Sequence, residues 1–186
     1  MELVTLPQEI LSNILLRIND LQSYIGINEQ LDIAIGRIFK QFEDIYTSLV
    51  PNWKNNYTHL LDILIKDRKM KSLDFFLNNY TYDQQDVLNS IAKYGTVQML
   101  EDFINEYYVE NIDYMKIALE AAKTGNLSVI KWVSKFSKIN YYEILEEGIK
   151  YDQVNTVQYA MLRTPVDLDE VKLMAKEYNS KKILAM

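Results

Sequence analysis

Apolar positions along this chain recur every three or four residues, the spacing that predicts amphipathic helices. Near the N-terminus the apolar stripe consists of Ile10, Leu11, Ile14, Leu15 and Ile18. A second stripe, in a helix predicted around residues 30–49, consists of Leu31, Ile35, Ile38, Phe42, Ile45 and Leu49. The chain has no sustained alternation of the kind that marks strands, and no Asn-Gly or Asp-Gly hairpin turn. The pattern therefore predicts an all-α protein.

The rest of the chain repeats itself. Five lysines stand in similar local phrases, at spacings of 27, 30, 27 and 26 residues: Lys66, Lys93, Lys123, Lys150 and Lys176. A period of this length predicts helix–turn–helix pairs that stack into a short solenoid of about five repeats. Leu100 and Ile130 are expected to be buried between helices. Pro51-Asn52 is the predicted boundary between a helical module, residues 1–51, and the repeat array, residues 52–186.

The repeated lysine has a local physical explanation. It falls in the last turn of the first helix of each predicted pair, where a cation favours the negative end of the helix dipole. Gly95 and Gly125 follow two residues later and suit the left-handed conformation that closes a helix. Arg68, Asp152 and Tyr178 occupy this place in the other copies, so those turns are expected to be looser or differently built. We interpret the lysines as capping residues, with a row of partner contacts as the alternative.

Composition narrows the class of protein. The apolar share of 48% and the charged share of 25% are those of a globular chain. The absence of cysteine excludes disulfides and thiolate metal sites. A net charge of −6 without a basic block does not favour nucleic-acid binding. No apolar run approaches the roughly 20 residues that span a membrane, and no secretory signal is apparent. We expect a cytoplasmic protein, with the nucleus as the alternative.

Residues for catalysis are scarce. His59, the one histidine, has no second histidine and no cysteine with which to form a metal site. The glycines form neither a phosphate-binding loop nor a dinucleotide fingerprint. Acidic residues such as Glu143 and Glu146 fall at predicted helix starts, where they suit the dipole. We therefore expect no enzymatic activity, no metal and no cofactor, and the alternative class is a hydrolase that uses the scattered acids.

Tyrosine is abundant, with 14 residues in the chain. Two pairs, Tyr107 with Tyr108 and Tyr141 with Tyr142, fall in or beside the predicted loops between repeats. Rigid amphipathic rings are favoured at interfaces, so these four residues are candidates for partner binding. The alternative is that one ring of each pair packs between repeats and the other only covers it.

The phrase Ala-Leu-Glu-Ala-Ala-Lys-Thr-Gly-Asn-Leu-Ser-Val-Ile-Lys-Trp-Val, residues 118–133, resembles an ankyrin repeat. Residues 87–104 make a second copy, and weaker copies cover residues 57–77, 144–161 and 171–186. The Thr-Pro-Leu-His phrase of that family is missing and most copies are shorter than its usual length of about 33 residues, so the loops between pairs are expected to be plain. The resemblance implies a divergent ankyrin-like array that binds protein partners, similar to those abundant in large DNA viruses of eukaryotes. A viral chain of this kind is expected in the cytoplasm of the host cell.

The N-terminal phrase Leu-Pro-Gln-Glu-Ile-Leu-Ser-Asn-Ile-Leu, residues 6–15, resembles the opening of an F-box, although residues 22–30 are longer than that family normally allows. The resemblance implies a module that docks on the adaptor subunit of a cullin-based ubiquitin ligase and delivers a target bound by the repeats. The residues that would make this contact are Leu6, Pro7, Ile10, Leu11 and Ile14. The alternatives are a helical cap that shields the first repeat, or an assembly protein that self-associates through open repeat ends.

Overall fold

The structure, a computed structural model, describes residues 25–26 and 29–186. This part of the chain contains α-helices, a 3₁₀ helix at Trp53–Asn55 and no strand, so the predicted all-α class is confirmed for it. The helices are α1 (Glu29–Leu49), α2 (Tyr57–Lys66), α3 (Met70–Asn79), α4 (Gln84–Tyr94), α5 (Val97–Glu106), α6 (Tyr114–Thr124), α7 (Leu127–Val133), α8 (Tyr141–Lys150), α9 (Val154–Met161), α10 (Leu168–Glu177) and α11 (Lys181–Leu184). The helix predicted around residues 30–49 corresponds to α1, whereas the one before it lies outside the described residues.

Contacts between Cα atoms divide the chain into two compact units, one ending at Tyr82 and the other beginning at Asp83. The first unit contains α1 to α3 and the second contains α4 to α11. The predicted boundary between residues 51 and 52 stays a prediction, because much of the proposed N-terminal module lies outside the described residues.

The first unit has an aromatic core. The rings of Phe42 on α1 and Phe75 on α3 stack with their centroids 3.9 Å apart. Tyr46 is fully buried, and its hydroxyl donates a 2.6 Å hydrogen bond to the carbonyl of Ser72. Trp53 packs edge to face on the Tyr46 ring at 5.0 Å. Such aromatic pairs contribute about 0.5–1.5 kcal/mol each beyond their burial, so this cluster fixes α1 against α3.

The second unit consists of helix pairs: α4 with α5, α6 with α7, α8 with α9, and α10 with α11. The first helices of successive pairs contact one another along the series α4, α6, α8 and α10. Among the second helices, α5 contacts α7 and α9 contacts α11. Helices this short cannot bury an apolar face alone, and the neighbouring pair supplies the missing surface. Leu100 and Ile130 are fully buried, as predicted.

All five repeated lysines lie in the last turn of a helix, which confirms their predicted position. Gly125 is left-handed as predicted, with φ 77°. The same prediction is wrong for Gly95, whose φ of −93° and ψ of −164° are extended. Its N–H bonds to the carbonyl of Ile91 at 2.7 Å, and the chain then extends so that the Thr96 hydroxyl can accept from the Met99 N–H that begins α5. Glycine is needed here for close approach, since a Cβ would lie 2.7 Å from Ile91 Cγ2.

The expectation of looser turns in the copies without glycine is wrong for Arg68 and Asp152. Both residues are left-handed, with φ 54° and 56°. In each turn, as at Gly125, the next N–H bonds to the carbonyl five residues before it, at 2.8 or 2.9 Å. This is the Schellman motif that closes helices. In the last copy the left-handed residue is Asn179, with φ 57°, one position after Tyr178.

Candidate protein-binding surface

The residues predicted to bind a ubiquitin-ligase adaptor, Leu6, Pro7, Ile10, Leu11 and Ile14, lie outside the described residues. Adaptor docking therefore stays a prediction. The four candidate tyrosines all belong to the second unit and are described by the structure.

The first tyrosine pair follows α5 and splits into one packed ring and one exposed ring. Tyr107 is half-buried, with its ring centroid 4.7 Å from that of Phe103. Its carbonyl accepts a 3.2 Å hydrogen bond from the side chain of Gln84. Tyr108 is 86% exposed and left-handed, with φ 47°. Tyr107 thus packs within the pair, whereas Tyr108 is available to a partner.

The second tyrosine pair begins α8 and splits in the same way. Tyr141 is half-buried, 6.1 Å from the Tyr159 ring and 5.7 Å from the Arg163 guanidinium carbon. Tyr142 is 43% exposed. Tyr107 and Tyr141 are therefore the packed rings of their pairs, as the alternative interpretation of the tyrosine pairs expects for one ring of each. The two pairs do not share one groove, because the groove that Tyr141 and Tyr142 line does not include Tyr107 or Tyr108.

Tyr141 and Tyr142 line a groove of about 470 Å³ between the α7–α8 loop and the α9–α10 loop. The lining includes two cations, two polar side chains and the two tyrosine rings, and no carboxylate. We call this the basic groove and define it by Lys138, Asn140, Tyr141, Tyr142, Arg163 and Thr164.

Arg163 is held in place by Tyr159 on the preceding helix. Its guanidinium carbon lies 3.8 Å from the Tyr159 ring centroid, and one of its N–H groups donates to the Tyr159 carbonyl at 2.9 Å. The ammonium of Lys131 lies 5.5 Å from the same centroid. Burial is the largest cause that raises the pKa of Tyr159, and a hydrogen bond with Tyr141 acts in the same direction. The hydroxyl is therefore neutral at physiological pH, and its ring contacts two cations.

A row of exposed apolar residues follows the second helices of three successive pairs. Tyr108 follows α5, Phe136 follows α7 and Leu162 follows α9, and their exposed fractions are 86%, 58% and 83%. Their spacings of 28 and 26 residues are close to the 30 and 27 residues that separate Lys93, Lys123 and Lys150. Isolated exposed apolar residues are common on soluble proteins, but one within three residues of the end of each of these second helices forms a pattern. We call these three residues the loop-end row.

At the turns within pairs, the repeated lysines contact acids and rings of the same or the next pair. Glu120 on α6 bridges Lys93 of the preceding pair at 3.4 Å and Lys123 of its own helix at 2.7 Å. The ammonium of Lys150 lies 3.1 Å from both Glu146 and Glu147. Besides their predicted capping role, the lysines can therefore help to join neighbouring helix pairs, as Lys93 does through Glu120. These contacts also compensate the positive charge at the turns, whereas Lys138 and Arg163 form no ion pair with the described residues.

Other kinds of site find little support. Within residues 25–26 and 29–186, no group of three or more His, Asp or Glu side chains could hold a metal ion. His59 is exposed on α2. None of the described helices is both long enough and apolar enough to cross a membrane.

Comparisons with family models, curated proteins and solved structures find no match. A functional proposal for this chain therefore depends on its own residues. Sequence reasoning identified Tyr141 and Tyr142 but missed Lys131, Tyr159 and Arg163. The signal that could have found them is a long stretch without acids, residues 121–142, followed by a second one at residues 153–166.

Proposed function

We propose that this chain is a non-enzymatic protein-binding protein, an ankyrin-like array of helix pairs whose partner contacts the loop-end row. The observation that carries the proposal is the recurrence of one exposed large apolar residue per pair, at Tyr108, Phe136 and Leu162. Burial of each such side chain in a complex would contribute about 1.5–3 kcal/mol. Repeat proteins bind through positions that recur along the array, which is the arrangement these residues have.

The ankyrin-like part of the proposal is supported by the order of contacts in the second unit. Each pair has two short helices joined by a tight turn, and the first helices contact their counterparts in the neighbouring pairs. The left-handed Gly125 closes the first helix of the strongest copy. Side chains near the turns also link the pairs, since the Asn126 amide donates to the carbonyls of Ala92 and Gly95 at 3.0 and 3.1 Å.

Affinity capture with three forms of the full chain tests this proposal. The test variant combines Tyr108→Ser, Phe136→Ser and Leu162→Ser. The control combines Ile33→Ser, Tyr151→Ser and Leu173→Ser, which removes three large apolar side chains with exposed fractions of 46%, 50% and 60%. Partners that the wild type and the control retain should be lost from the test variant. The proposal is wrong if the test variant, folded by circular dichroism, retains the same partners as the wild type.

A second candidate function, delivery of the bound partner to a cullin-based ubiquitin ligase, rests on the phrase at residues 6–15. Direct binding of the full chain to the purified adaptor subunit is its test. Changing Leu6→Ala with Pro7→Ala should abolish adaptor binding and leave the melting temperature nearly unchanged, because both residues lie at the tip of the predicted helix. If the wild type does not bind the adaptor, the N-terminal residues are better explained as a cap.

Size-exclusion chromatography over a range of concentrations tests the remaining alternative. An assembly protein that polymerises through open repeat ends would increase in mass with concentration. A binding protein of the proposed kind would elute at one constant mass.

A further inference from the structure

We infer that the basic groove binds an extended acidic segment of the protein partner. The inference rests on the proposed function and specifies the chemistry of the segment bound. It is carried by three features of the groove: a local excess of positive charge, an arginine held in a fixed orientation, and exposed apolar contacts at its edge.

The two segments that form the groove are free of acids. Residues 121–142 contain no Asp or Glu and three lysines besides Lys123, which is paired with Glu120, and residues 153–166 contain Arg163 and no Asp or Glu. The chain as a whole has a net charge of −6. Positive charge is therefore concentrated where the α7–α8 and α9–α10 loops meet. A concentrated positive patch attracts a ligand of opposite charge and orients its approach.

The acids nearest in sequence are already engaged at helix starts. Glu143 Oε1 accepts from the Asn140 side-chain amide at 2.7 Å. Asp167 Oδ1 accepts from the backbone N–H of Glu170 at 2.9 Å and caps α10. Neither carboxylate forms an ion pair with Lys138 or Arg163, so both cations of the groove can bind an external carboxylate.

Arg163 is oriented to receive such a carboxylate. A guanidinium has five N–H donors, and the structure gives one of them to the Tyr159 carbonyl. Stacking on the Tyr159 ring, with the guanidinium carbon 3.8 Å from the centroid, restricts the side chain before any ligand binds. The remaining donors suit the two oxygens of a carboxylate, and little further side-chain entropy is lost on binding.

The edges of the groove favour a peptide over a small anion. The Thr164 hydroxyl donates to the Ala160 carbonyl at 3.0 Å, which leaves its oxygen able to accept from a peptide N–H. Tyr142 offers an exposed ring on the groove itself. Phe136 and Leu162 of the loop-end row stand two residues before Lys138 and one residue before Arg163. A segment that alternates acidic and apolar residues could contact both the groove and the row.

Selection from a random peptide display library against the full chain tests the inference. The selected peptides should be enriched in Asp and Glu together with Leu, Phe or Tyr. A synthetic copy of the most enriched peptide, labelled with fluorescein, is then titrated by anisotropy. Lys138→Glu with Arg163→Glu should weaken its binding by about tenfold or more, because two favourable charge contacts become repulsive. Added salt should also weaken binding to the wild type.

The matched control is Lys181→Glu with Lys182→Glu, which makes the same change in net charge at exposed residues of α11, outside the groove. It should bind the peptide as the wild type does. If melting curves show that the charge-reversed variant does not fold, the milder variant Lys138→Gln with Arg163→Gln replaces it in the binding measurement. Enrichment of neutral or basic peptides, no enrichment, or equal binding by the groove variant and the control would overturn the inference. A single-stranded RNA oligonucleotide that bound more tightly than the acidic peptide would do so as well.

These outcomes separate the inference from the function on which it rests. If the groove variant still captures the partners that the loop-end variant loses, protein binding through the row stands and the acidic-segment inference falls. If neither variant loses a partner, the proposed binding through the loop-end row and the acidic-segment inference are both wrong.

Discussion

The carboxylate of Asp152 accepts hydrogen bonds from the backbone N–H of Lys182 in the next helix pair, at 2.9 and 3.1 Å. Its Oδ1 atom also accepts from the N–H of Ile183 at 3.1 Å. Asp152 is the left-handed residue that closes α8, at the position of Gly125 in the preceding pair. The side chain therefore caps α11, which offsets the roughly 1–2 kcal/mol that a left-handed conformation costs a residue with a Cβ.

Changing Asp152→Ala should therefore destabilise the protein. The variant keeps the backbone strain and loses the cap, so the free energy of unfolding should fall by about 0.5–2 kcal/mol. Asp152→Gly loses the same cap but relieves the backbone strain, so its free energy of unfolding should fall by less than that of Asp152→Ala. Urea denaturation of the full chain measures both. Equal stability of the alanine variant and the wild type would show that the capping bonds contribute nothing.

A second prediction concerns Tyr46 and Tyr80, two tyrosines whose rings belong to the aromatic core of the first unit. The Tyr80 hydroxyl has no hydrogen-bond partner among the described residues, although its ring lies 5.0 Å from that of Trp53. Burial also raises the pKa of Tyr80. Because a buried hydroxyl without a partner is unfavourable, Tyr80→Phe should raise the free energy of unfolding by about 1 kcal/mol.

Tyr46→Phe is the matched control for that change. Tyr46 is equally part of the cluster, but its hydroxyl donates to the Ser72 carbonyl at 2.6 Å. Loss of this bond should lower the free energy of unfolding by about 0.5–1.5 kcal/mol. Thermal denaturation compares the two variants. If they lose the same stability, the Tyr80 hydroxyl must have a favourable partner after all.

A third prediction tests the stacking of helix pairs. Leu100 on α5 and Ile130 on α7 are both fully buried. Truncating either to alanine should cost about 2–5 kcal/mol, because the cavity left by the removed methyl groups is only partly filled. Leu162→Ala, at a position 83% exposed, is the control and should change stability by less than about 0.5 kcal/mol. Similar losses at the three positions would contradict the packing described.

The parts of the fold that depend on local physics could be predicted from the sequence. Periodicity predicted α1 and the helix pairs, and the helix dipole placed Lys66 and its counterparts in final turns. The left-handed conformation of Gly125 was predicted because glycine suits the position that closes a helix. Arg68 and Asp152 were not expected to be left-handed, since a side chain in that conformation is unfavourable until tertiary contacts compensate it. For Asp152 those contacts come from α11, about 30 residues away.

The candidate site was predictable only in part. Tyr141 and Tyr142 were identified because tyrosine is abundant in the chain and these two stand together beside a predicted loop. Their neighbours Tyr159 and Arg163 come from another helix pair, and the acid-free stretch that contains them, residues 153–166, does not show that they meet Tyr141. Of the loop-end row, Tyr108 was identified, whereas Phe136 and Leu162 were missed. Their exposure depends on where α7 and α9 end, and sequence patterns place helix ends poorly.

The last prediction uses pH to test the junction between α8 and α10. Glu146 Oε1 accepts a 2.9 Å hydrogen bond from the Tyr178 hydroxyl and lies 3.1 Å from the Lys150 ammonium. The hydrogen bond from Tyr178, followed by that from Lys150, holds the pKa of Glu146 below its ordinary value. A carboxylate with a lowered pKa in the folded state stabilises that state above the unfolded pKa of about 4.3. This contribution is lost as the pH falls through the folded pKa.

Stability measured by urea denaturation between about pH 6 and about pH 3 should therefore fall more steeply for the wild type than for Glu146→Gln. Glu106→Gln, at an exposed acid at the end of α5, is the matched control and should follow the wild-type profile. Tyr178→Phe should make the profile less steep, since it removes the largest cause of the lowered pKa. Parallel profiles for the wild type and Glu146→Gln would mean that the contact between Tyr178 and Glu146 does not stabilise the junction. In that case the next pair is held by Asp152, by the hydrogen bond from the Ser180 hydroxyl to the Ile149 carbonyl, and by apolar packing.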